Sequence, residues 1–167
     1  MAAIGNGRPH PGYGHLTADE RYLNLYLGNY EKGSTEVAVA KCPSDEASNN
    51  QVMYTLPQMK NQSLYDHMGS SYQSNTHPDH NTVVKKNNTT SIRLSDVRDI
   101  SRFLVLSEGG ANVAGWGYRM DKASFSGFDW HWPSQKKWIA LFSDLHVAPA
   151  LINKPIIGPG YTFDRSK

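Results

Sequence analysis

The sequence has one cysteine, almost no excess of either charge and no long hydrophobic run. A single cysteine among 167 residues excludes an internal disulfide framework and any cysteine-rich zinc site. The 17 Lys and Arg residues against 15 Asp and Glu give a net charge of +2, without the concentrated basic patches of nucleic-acid-binding proteins. No segment approaches the ~20 apolar residues of a membrane span, and no signal segment opens the chain. We therefore expect no nucleic-acid partner and no membrane span in this chain.

Length and composition predict one polar, loop-rich domain. The 167 residues fall within the roughly 100–200 that one domain usually has. Because 38% of the residues are hydrophobic, the chain can bury a sizeable core. We expect a single domain over residues 1–167, with an irregular arm at 1–16, a loop-rich insertion at 43–100 and a surface strap at 150–167.

The first predicted element is a helix over residues 17–27. Thr17 and Glu20 have the spacing of a capping box, in which two side chains satisfy backbone N–H groups at a helix start. Apolar residues follow at helical spacing, and Gly28 suits the position after the helix. A helix this short is marginal alone in water, so we expect it to pack on another element.

Four further segments have the pattern of strands. Residues 37–42 form a short apolar run, and residues 103–106 form a run typical of a strand covered on both faces. Residues 138–142 and 146–149 flank Ser143–Leu145 as the two arms of a hairpin. The sequence therefore predicts an α+β domain in which an N-terminal helix packs on a small antiparallel sheet.

Motifs for nucleophilic catalysis and phosphate binding are missing. No Gly-x-Ser-x-Gly elbow occurs, and the glycine-rich segments 109–112 and 115–117 lack the frame of a phosphate-binding loop. We interpret both segments as turns. Cys42 has no neighbour in the sequence that would lower its pKa, so we expect a small buried apolar residue and not a reactive thiolate.

Four segments, taken in order, resemble a known family. They are Arg21–Gly28, Cys42-Pro43-Ser44-Asp45, Phe103–Leu106 and Trp138–Val147. Their order and spacing resemble the bacterial pseudopilin-like proteins related to the type II secretion major pseudopilin, in particular the subfamily that ends in a His…Asp-Gly motif. The Cys-Pro-Ser-Asp motif matches without change, and Phe142–Val147 matches closely. The resemblance implies a pseudopilin-like fold.

The resemblance also implies a structural role in the cell envelope. Members of that family begin with a prepilin signal and a long apolar anchor helix, and neither stands in this sequence. We therefore expect this chain to correspond to the globular part of such a subunit. The implied partners are like subunits or other secretion-system proteins, and the implied location is the periplasm or cell envelope.

One position in the C-terminal motif departs from the family. Leu145 stands where the motif has glycine, which accepts the positive φ of a tight hairpin turn. A leucine in the left-handed region costs about 1–2 kcal/mol. We therefore expect a longer or differently shaped loop. The spacing between His131 and Asp144 is also longer than in the family.

The resemblance implies one Ca²⁺ ion near the C-terminal loops. The ion takes six to eight hard oxygen ligands, which loops supply readily. By resemblance, the metal candidates are Asp129 and Asp144, with Glu108 and Asp121 as further oxygen donors. No EF-hand spacing occurs. The alternative interpretation makes Asp129 and Asp144 turn residues that bond to the local backbone.

The competing function is a metal-dependent hydrolase, possibly using Ca²⁺, that acts on a small ester or lactone. Asp129 with His131, and Asp144 with His146, repeat an Asp-x-His pattern that would share one face of a strand. In this hypothesis His131, Asp144 and His146 are the catalytic residues, and a bound metal activates water. No HExxH motif supports it. We interpret the histidines of 77–80 as solvated loop residues.

An aromatic cluster leaves a third alternative. Trp130 and Trp132 alternate around His131, so a strand would place both indoles on one face. Such rings suit a glycan or partner platform, and they suit a core layer equally well. We favour a core layer with a partly exposed patch.

Overall fold

The computed structural model describes residues 28, 37–46, 63–75, 82, 93–115, 130–132, 135–153 and 156–167. The predicted helix 17–27 lies outside these residues, as do the histidines at 77 and 80 and the predicted calcium ligands Asp121 and Asp129. Among the described residues, no helix has the length and apolar character needed to cross a membrane.

Short elements make up the described structure. The α-helices are α1 (Leu64–Met68) and α2 (Gly109–Gly115), and 3₁₀ turns span Ala38–Ala40 and Leu94–Asp96. The strands are β1 (Tyr72–Ser74), β2 (Leu104–Glu108), β3 (Lys137–Phe142), β4 (Val147–Leu151), β5 (Ile157–Gly158) and β6 (Tyr161–Thr162).

Four of the strands form one antiparallel sheet in the order β1-β2-β3-β4, and β5 pairs with β6 in a separate ribbon. The predicted α+β class with a small antiparallel sheet is thus confirmed for the described residues. The range 43–100, predicted as a loop-rich insertion, contributes α1 and the edge strand β1.

Strict alternation along β3 places the core on one face of the sheet. Trp138, Ala140 and Phe142 are buried, while the residues between them are half-buried on the other face. The apolar face packs on α2 and on the C-terminal ribbon. Antiparallel sheets commonly have one face on the core and the other towards solvent. The core members are Leu64, Leu104, Ala111, Ala114, Trp138, Ala140, Phe142, Ala150, Ile152, Tyr161 and Phe163.

The interpretation of 109–112 as a turn is wrong, because helix α2 begins directly after β2. A β-carbon at Gly109 would overlap the side chain of Leu64, and one at Gly115 would overlap the ring of Phe163. Glycine costs about 1 kcal/mol within a helix relative to alanine. Here it permits the close approach that buries the small helix against the sheet and ribbon.

The predicted strand at 37–42 is also wrong, since Ala38–Ala40 form a 3₁₀ turn. Side-chain oxygens take the backbone donors that a strand partner would have taken. Val37 N donates to the Tyr65 hydroxyl over 2.7 Å, and Cys42 N donates to Ser71 Oγ over 2.9 Å. Hydrogen bonds to side chains distant in the sequence therefore outweigh the strand propensity of a short apolar run.

The C-terminal residues do not form a surface strap as predicted. Ile152, Tyr161 and Phe163 are buried in the core. Pro159 and Gly160 form the turn of the β5–β6 ribbon, where Gly160 takes the left-handed conformation at φ 80°. Pro159 marks a turn, but the aromatic residues Tyr161 and Phe163 that follow it pack inward.

The predicted hairpin is confirmed: β3 and β4 pair, and residues 143–145 form a three-residue loop closed by Phe142 and His146. Phe142 N donates to His146 O over 3.0 Å, and Leu145 N donates to Phe142 O over 3.0 Å. The loop is longer than a two-residue turn, yet Leu145 still takes φ 72°. Ser143 holds the turn in place by donating to the carbonyls of Phe103 and Ile100.

Candidate metal centre

Three potential ligands from distant parts of the chain meet at the end of β2. Cys42 Sγ lies 3.3 Å from His131 Nε2, and Glu108 Oε1 lies 3.0 Å from the same nitrogen. All three ligand atoms lie within 4.8 Å of one another. Cys42 and Glu108 are buried, whereas 33% of the His131 side chain is exposed. The group therefore combines sulfur, nitrogen and oxygen, with one side towards solvent.

A buried network fixes the backbone around Cys42. Ser71 Oγ accepts from Cys42 N and donates to Asp45 Oδ2 over 2.6 Å. The Asp45 carboxylate also accepts from Leu64 N at 2.9 Å and Tyr65 N at 2.8 Å, at the start of α1. Burial raises the pKa of Asp45, although these three donors oppose the shift. The Cys-Pro-Ser-Asp motif is thus anchored to α1 at one end and to the three-residue cluster at the other.

Glu108 occupies the last position of β2, with both carboxylate oxygens engaged. Oε1 accepts from Trp130 Nε1 at 3.0 Å, and Oε2 accepts from Ile139 N at 2.9 Å. Burial raises the pKa of Glu108, while these donors and the charge of His131 act in the opposite direction. A buried carboxylate needs neighbouring positive charge to be tolerated when ionised.

Tyr72 completes the surroundings of the sulfur. It stands at the start of β1, directly opposite Glu108 in the β1–β2 register. Its hydroxyl hydrogen-bonds with the Cys42 sulfur, and burial together with that contact raises the pKa of Tyr72 to about 12. The phenol is therefore neutral near pH 7.

The geometry fits a ligand group better than a nucleophile. In a Cys-His-carboxylate triad the acid holds one ring nitrogen while the nucleophile meets the other. Here Cys42 Sγ and Glu108 Oε1 both approach Nε2 of His131. Cys42 is also only 1% exposed, which denies a substrate access to its sulfur.

The catalytic residues predicted for a hydrolase are not brought together. Asp144 and His146 contact each other in the exposed hairpin turn, whereas His131 contacts Glu108. Asp144 follows Phe142, which pairs with Leu104 at the first position of β2. Glu108 is at the last position of β2. Four residues of strand correspond to about 13 Å. The same separation divides Glu108 from Asp144 as joint calcium ligands.

The hairpin pair is a local contact. Asp144 accepts from His146 N at 3.2 Å and contacts His146 Nδ1. Slight desolvation raises the pKa of Asp144, but the hydrogen bonds and charge of His146 outweigh it and lower that pKa below its usual value. In the described structure, Asp144 behaves as the turn residue of the alternative interpretation.

Sequence reasoning missed Cys42 and Tyr72 as members of a site. It expected Cys42 to be buried, which is correct. The match of the Cys-Pro-Ser-Asp motif to the family was the available signal, but ligands so far apart in sequence show no spacing pattern. Only the β1–β2 register and the packing of residues 130–132 bring them together.

The two tryptophans beside His131 lie in different settings. Trp130 packs against the core and donates to Glu108, whereas Trp132 lies beside the His131 ring and under the Lys137 ammonium group, 4.9 Å from the ring centroid. Residues 130–132 form a bend and not a strand. The contact of Trp130 with the core and the half-buried Trp132 fit the predicted core layer with a partly exposed patch.

The described residues therefore define a small α+β domain that carries a buried Cys-Glu-His cluster at one end of its sheet. Neither a protein-family model, nor a curated protein, nor a solved structure matches this chain.

Proposed function

We propose that this domain is the globular head of a pseudopilin-like subunit that assembles with like subunits on the periplasmic side of the cell envelope. The order of the family-like motifs supports this role, and so does the α+β class. The observation that carries the proposal is an exposed apolar face on the sheet, opposite the core.

This outer face consists of side chains from three adjacent strands. Leu141 faces Val147 and Ile139 faces Pro149 across the β3–β4 ladder. Val147 is 63% exposed and Leu151 is 50% exposed. The apolar members of the outer face are Leu106, Ile139, Leu141, Val147, Pro149 and Leu151, and Lys137 shares the face opposite Leu151. Contiguous exposed apolar surface is typical of protein–protein contact sites.

The hairpin turn next to the outer face carries a further exposed apolar residue. Leu145 is 80% exposed and is held at φ 72°, a conformation that costs a leucine about 1–2 kcal/mol. Contact between this exposed apolar side chain and a partner would offset the cost of the backbone strain. The net charge of +2 opposes association of like copies only weakly.

Charge placed on the outer face tests the assembly role. In the double variant Val147→Asp/Leu151→Asp, two carboxylates would be buried in the contact, so we expect the dissociation constant for self-association to rise at least about tenfold. Sedimentation equilibrium measures it. Leu94→Asp is the control, because Leu94 is 58% exposed on the 3₁₀ turn Leu94–Asp96, which is not part of the sheet. A chain that stays monomeric, or equal effects of both changes, would contradict the proposal.

Calcium remains part of this proposal as the resemblance implies it. Among the described candidates, the exposed Asp144 carboxylate supports it, since Asp144 is accessible at the hairpin turn. Glu108 does not, because both of its oxygens accept from protein donors next to a thiol and an imidazole. Calcium prefers hard oxygen ligands alone.

A metal-dependent hydrolase is the second candidate function. One observation favours it: the cluster supplies three ligand types and is open on the His131 side, where a metal-bound water would meet an ester or lactone. Of the residues first predicted, only His131 keeps a role. Metal-dependent ester hydrolysis that is lost in His131→Ala and kept in His146→Ala would support this function. Lack of turnover with added metal would remove it.

A further inference from the structure

We propose that Cys42, Glu108 and His131 bind a thiophilic divalent transition-metal ion, for which Zn²⁺ is the probe. The ion would connect the turn after Ala38–Ala40, the end of β2 and the segment 130–132. This site is additional to the assembly role. Its three ligands are not among the apolar residues of the outer face, so the site and the assembly role are tested separately.

The distances match a tetrahedral ion with little movement. Bonds of about 2.3 Å to sulfur and about 2.0–2.2 Å to nitrogen and oxygen place ligand atoms about 3.4–3.6 Å apart in a tetrahedron. The Cys42 Sγ to His131 Nε2 distance is 3.3 Å, and the Glu108 Oε1 to Nε2 distance is 3.0 Å. These two distances need to lengthen by only a few tenths of an ångström to admit the ion, and all three ligand atoms lie within 4.8 Å of one another.

Hydrogen bonding cannot satisfy both contacts of the His131 Nε2 atom at once. An imidazole nitrogen carries either one hydrogen or one lone pair. His131 Nε2 therefore serves only one of its two neighbours, Cys42 Sγ or Glu108 Oε1, with good geometry. A metal ion in place of the proton would serve all three atoms, and its charge would compensate the buried carboxylate.

The donor set selects the class of ion. Thiolate and imidazole ligands favour Zn²⁺ and related transition metals, whereas Ca²⁺ and Mg²⁺ take oxygen ligands. The Tyr72 hydroxyl is placed to donate to the sulfur, as partners of metal ligands commonly do. The exposed side of His131 leaves room for water as a fourth ligand.

The site has a matched internal control. His146 is also a histidine beside a carboxylate, Asp144, but it lies at the exposed hairpin turn, where its ring stacks on Phe142. Loss of His146 should therefore leave metal affinity unchanged. Loss of His131 should weaken Zn²⁺ binding by more than the roughly 10–100-fold cost of removing an outer partner of a ligand.

Titration of the full chain with Zn²⁺ and Co²⁺ after chelator dialysis tests the proposal. We expect one ion per chain, and a thiolate-to-cobalt charge-transfer absorption that Cys42→Ser removes and His146→Ala keeps. Zn²⁺ should raise the melting temperature of the wild-type chain, as an ion bound to the folded state does. Circular dichroism confirms that Cys42→Ser is folded before its spectrum is compared.

Three outcomes would overturn the proposal. The first is a wild-type chain that binds no Co²⁺ or Zn²⁺. The second is a charge-transfer band that persists in Cys42→Ser. The third is equal loss of affinity in His131→Ala and His146→Ala, which would indicate unspecific histidine binding. Self-association of the Val147→Asp/Leu151→Asp variant is measured separately, so the assembly role can fail while the metal site holds.

Discussion

Two carboxylate–histidine pairs stand at opposite ends of the sheet, and they differ in almost everything except chemistry. Glu108 and His131 come from segments distant in the sequence, and the carboxylate of Glu108 is buried. Asp144 and His146 are two residues apart in an exposed turn. The Asp144–His146 contact needs only the local geometry of the turn. The Glu108–His131 contact depends on the packing of two segments that are distant in the sequence. The buried end should therefore carry most of the energetic and chemical consequences.

The largest expected difference is in stability. Glu108→Ala leaves the N–H groups of Trp130 and Ile139 without their acceptor, so we expect the free energy of unfolding to fall by about 3 kcal/mol or more. Urea denaturation in chelator measures the change without metal. Asp144→Ala, at the exposed end, should leave the urea midpoint close to wild type. Equal losses would remove the distinction between the two ends.

Calcium tests the exposed end. If the ion implied by the resemblance binds only the folded chain, a hundredfold excess over its dissociation constant adds about 2.7 kcal/mol to stability. Melting in calcium and in a calcium chelator should then differ, and Asp144→Ala should remove the difference while Cys42→Ser keeps it. An unchanged melting temperature would contradict calcium binding by the folded chain.

A pair of tryptophan variants sharpens the comparison within the buried end. Trp130→Phe removes the indole donor to Glu108 Oε1, so we expect a loss of about 1–2 kcal/mol in chemical denaturation. Trp132→Phe keeps a ring under Lys137 and should cost less than half as much. If Trp132→Phe were the more damaging change, the hydrogen bond to Glu108 would not explain the burial of Trp130.

The smallest expected effects are opposite dependences of stability on pH. The pKa of Asp45 is raised in the folded chain, so its contribution is present below pH 3.8 and is lost as pH rises through the folded value. The pKa of Asp144 is lowered, so its contribution is present above pH 3.8 and is lost as pH falls through the folded value.

Asn variants separate these two dependences. The urea midpoint is measured across pH. In Asp45→Asn we expect the decrease in midpoint at higher pH to disappear, and in Asp144→Asn we expect the decrease at lower pH to disappear. The Asp144→Asn effect should be slight because solvent screens an exposed pair. Both variants changing the same limb of the profile would refute the assignment.

The sequence patterns correctly predicted the features that depend on residues close together in the chain. The alternation of Trp138, Ala140 and Phe142 predicted a strand with one buried face, and the turn residues around Asp144 predicted the hairpin. The α+β class followed from such elements. The pseudopilin-like kinship stays a prediction, because it depends on short motifs and on a helix at 17–27 that lies outside the described residues.

Packing decided what the sequence patterns missed. Gly109 and Gly115 suggested turns, but their role is to let a helix lie against Leu64 and Phe163. Val37 and Cys42 suggested a strand, but hydroxyls from distant residues captured their N–H groups. Periodicity carries no information about such contacts.

The candidate site was predictable only in part. Glu108 and His131 were both identified as potential ligands, although for different sites, and Cys42 was expected to be buried. Their convergence depends on where β1 and the segment 130–132 pack. Sequence reasoning instead grouped His131 with Asp144 and His146 because those residues share a motif, and the strand register separates them.

Metal content after reconstitution tests the central claim most directly. The full chain is saturated with Zn²⁺, dialysed against metal-free buffer and analysed for elements, alongside Cys42→Ser and His146→Ala. The account predicts one zinc per chain in the wild type and in His146→Ala, and none in Cys42→Ser. A wild-type chain without zinc, or a Cys42→Ser chain that retains it, would contradict the account.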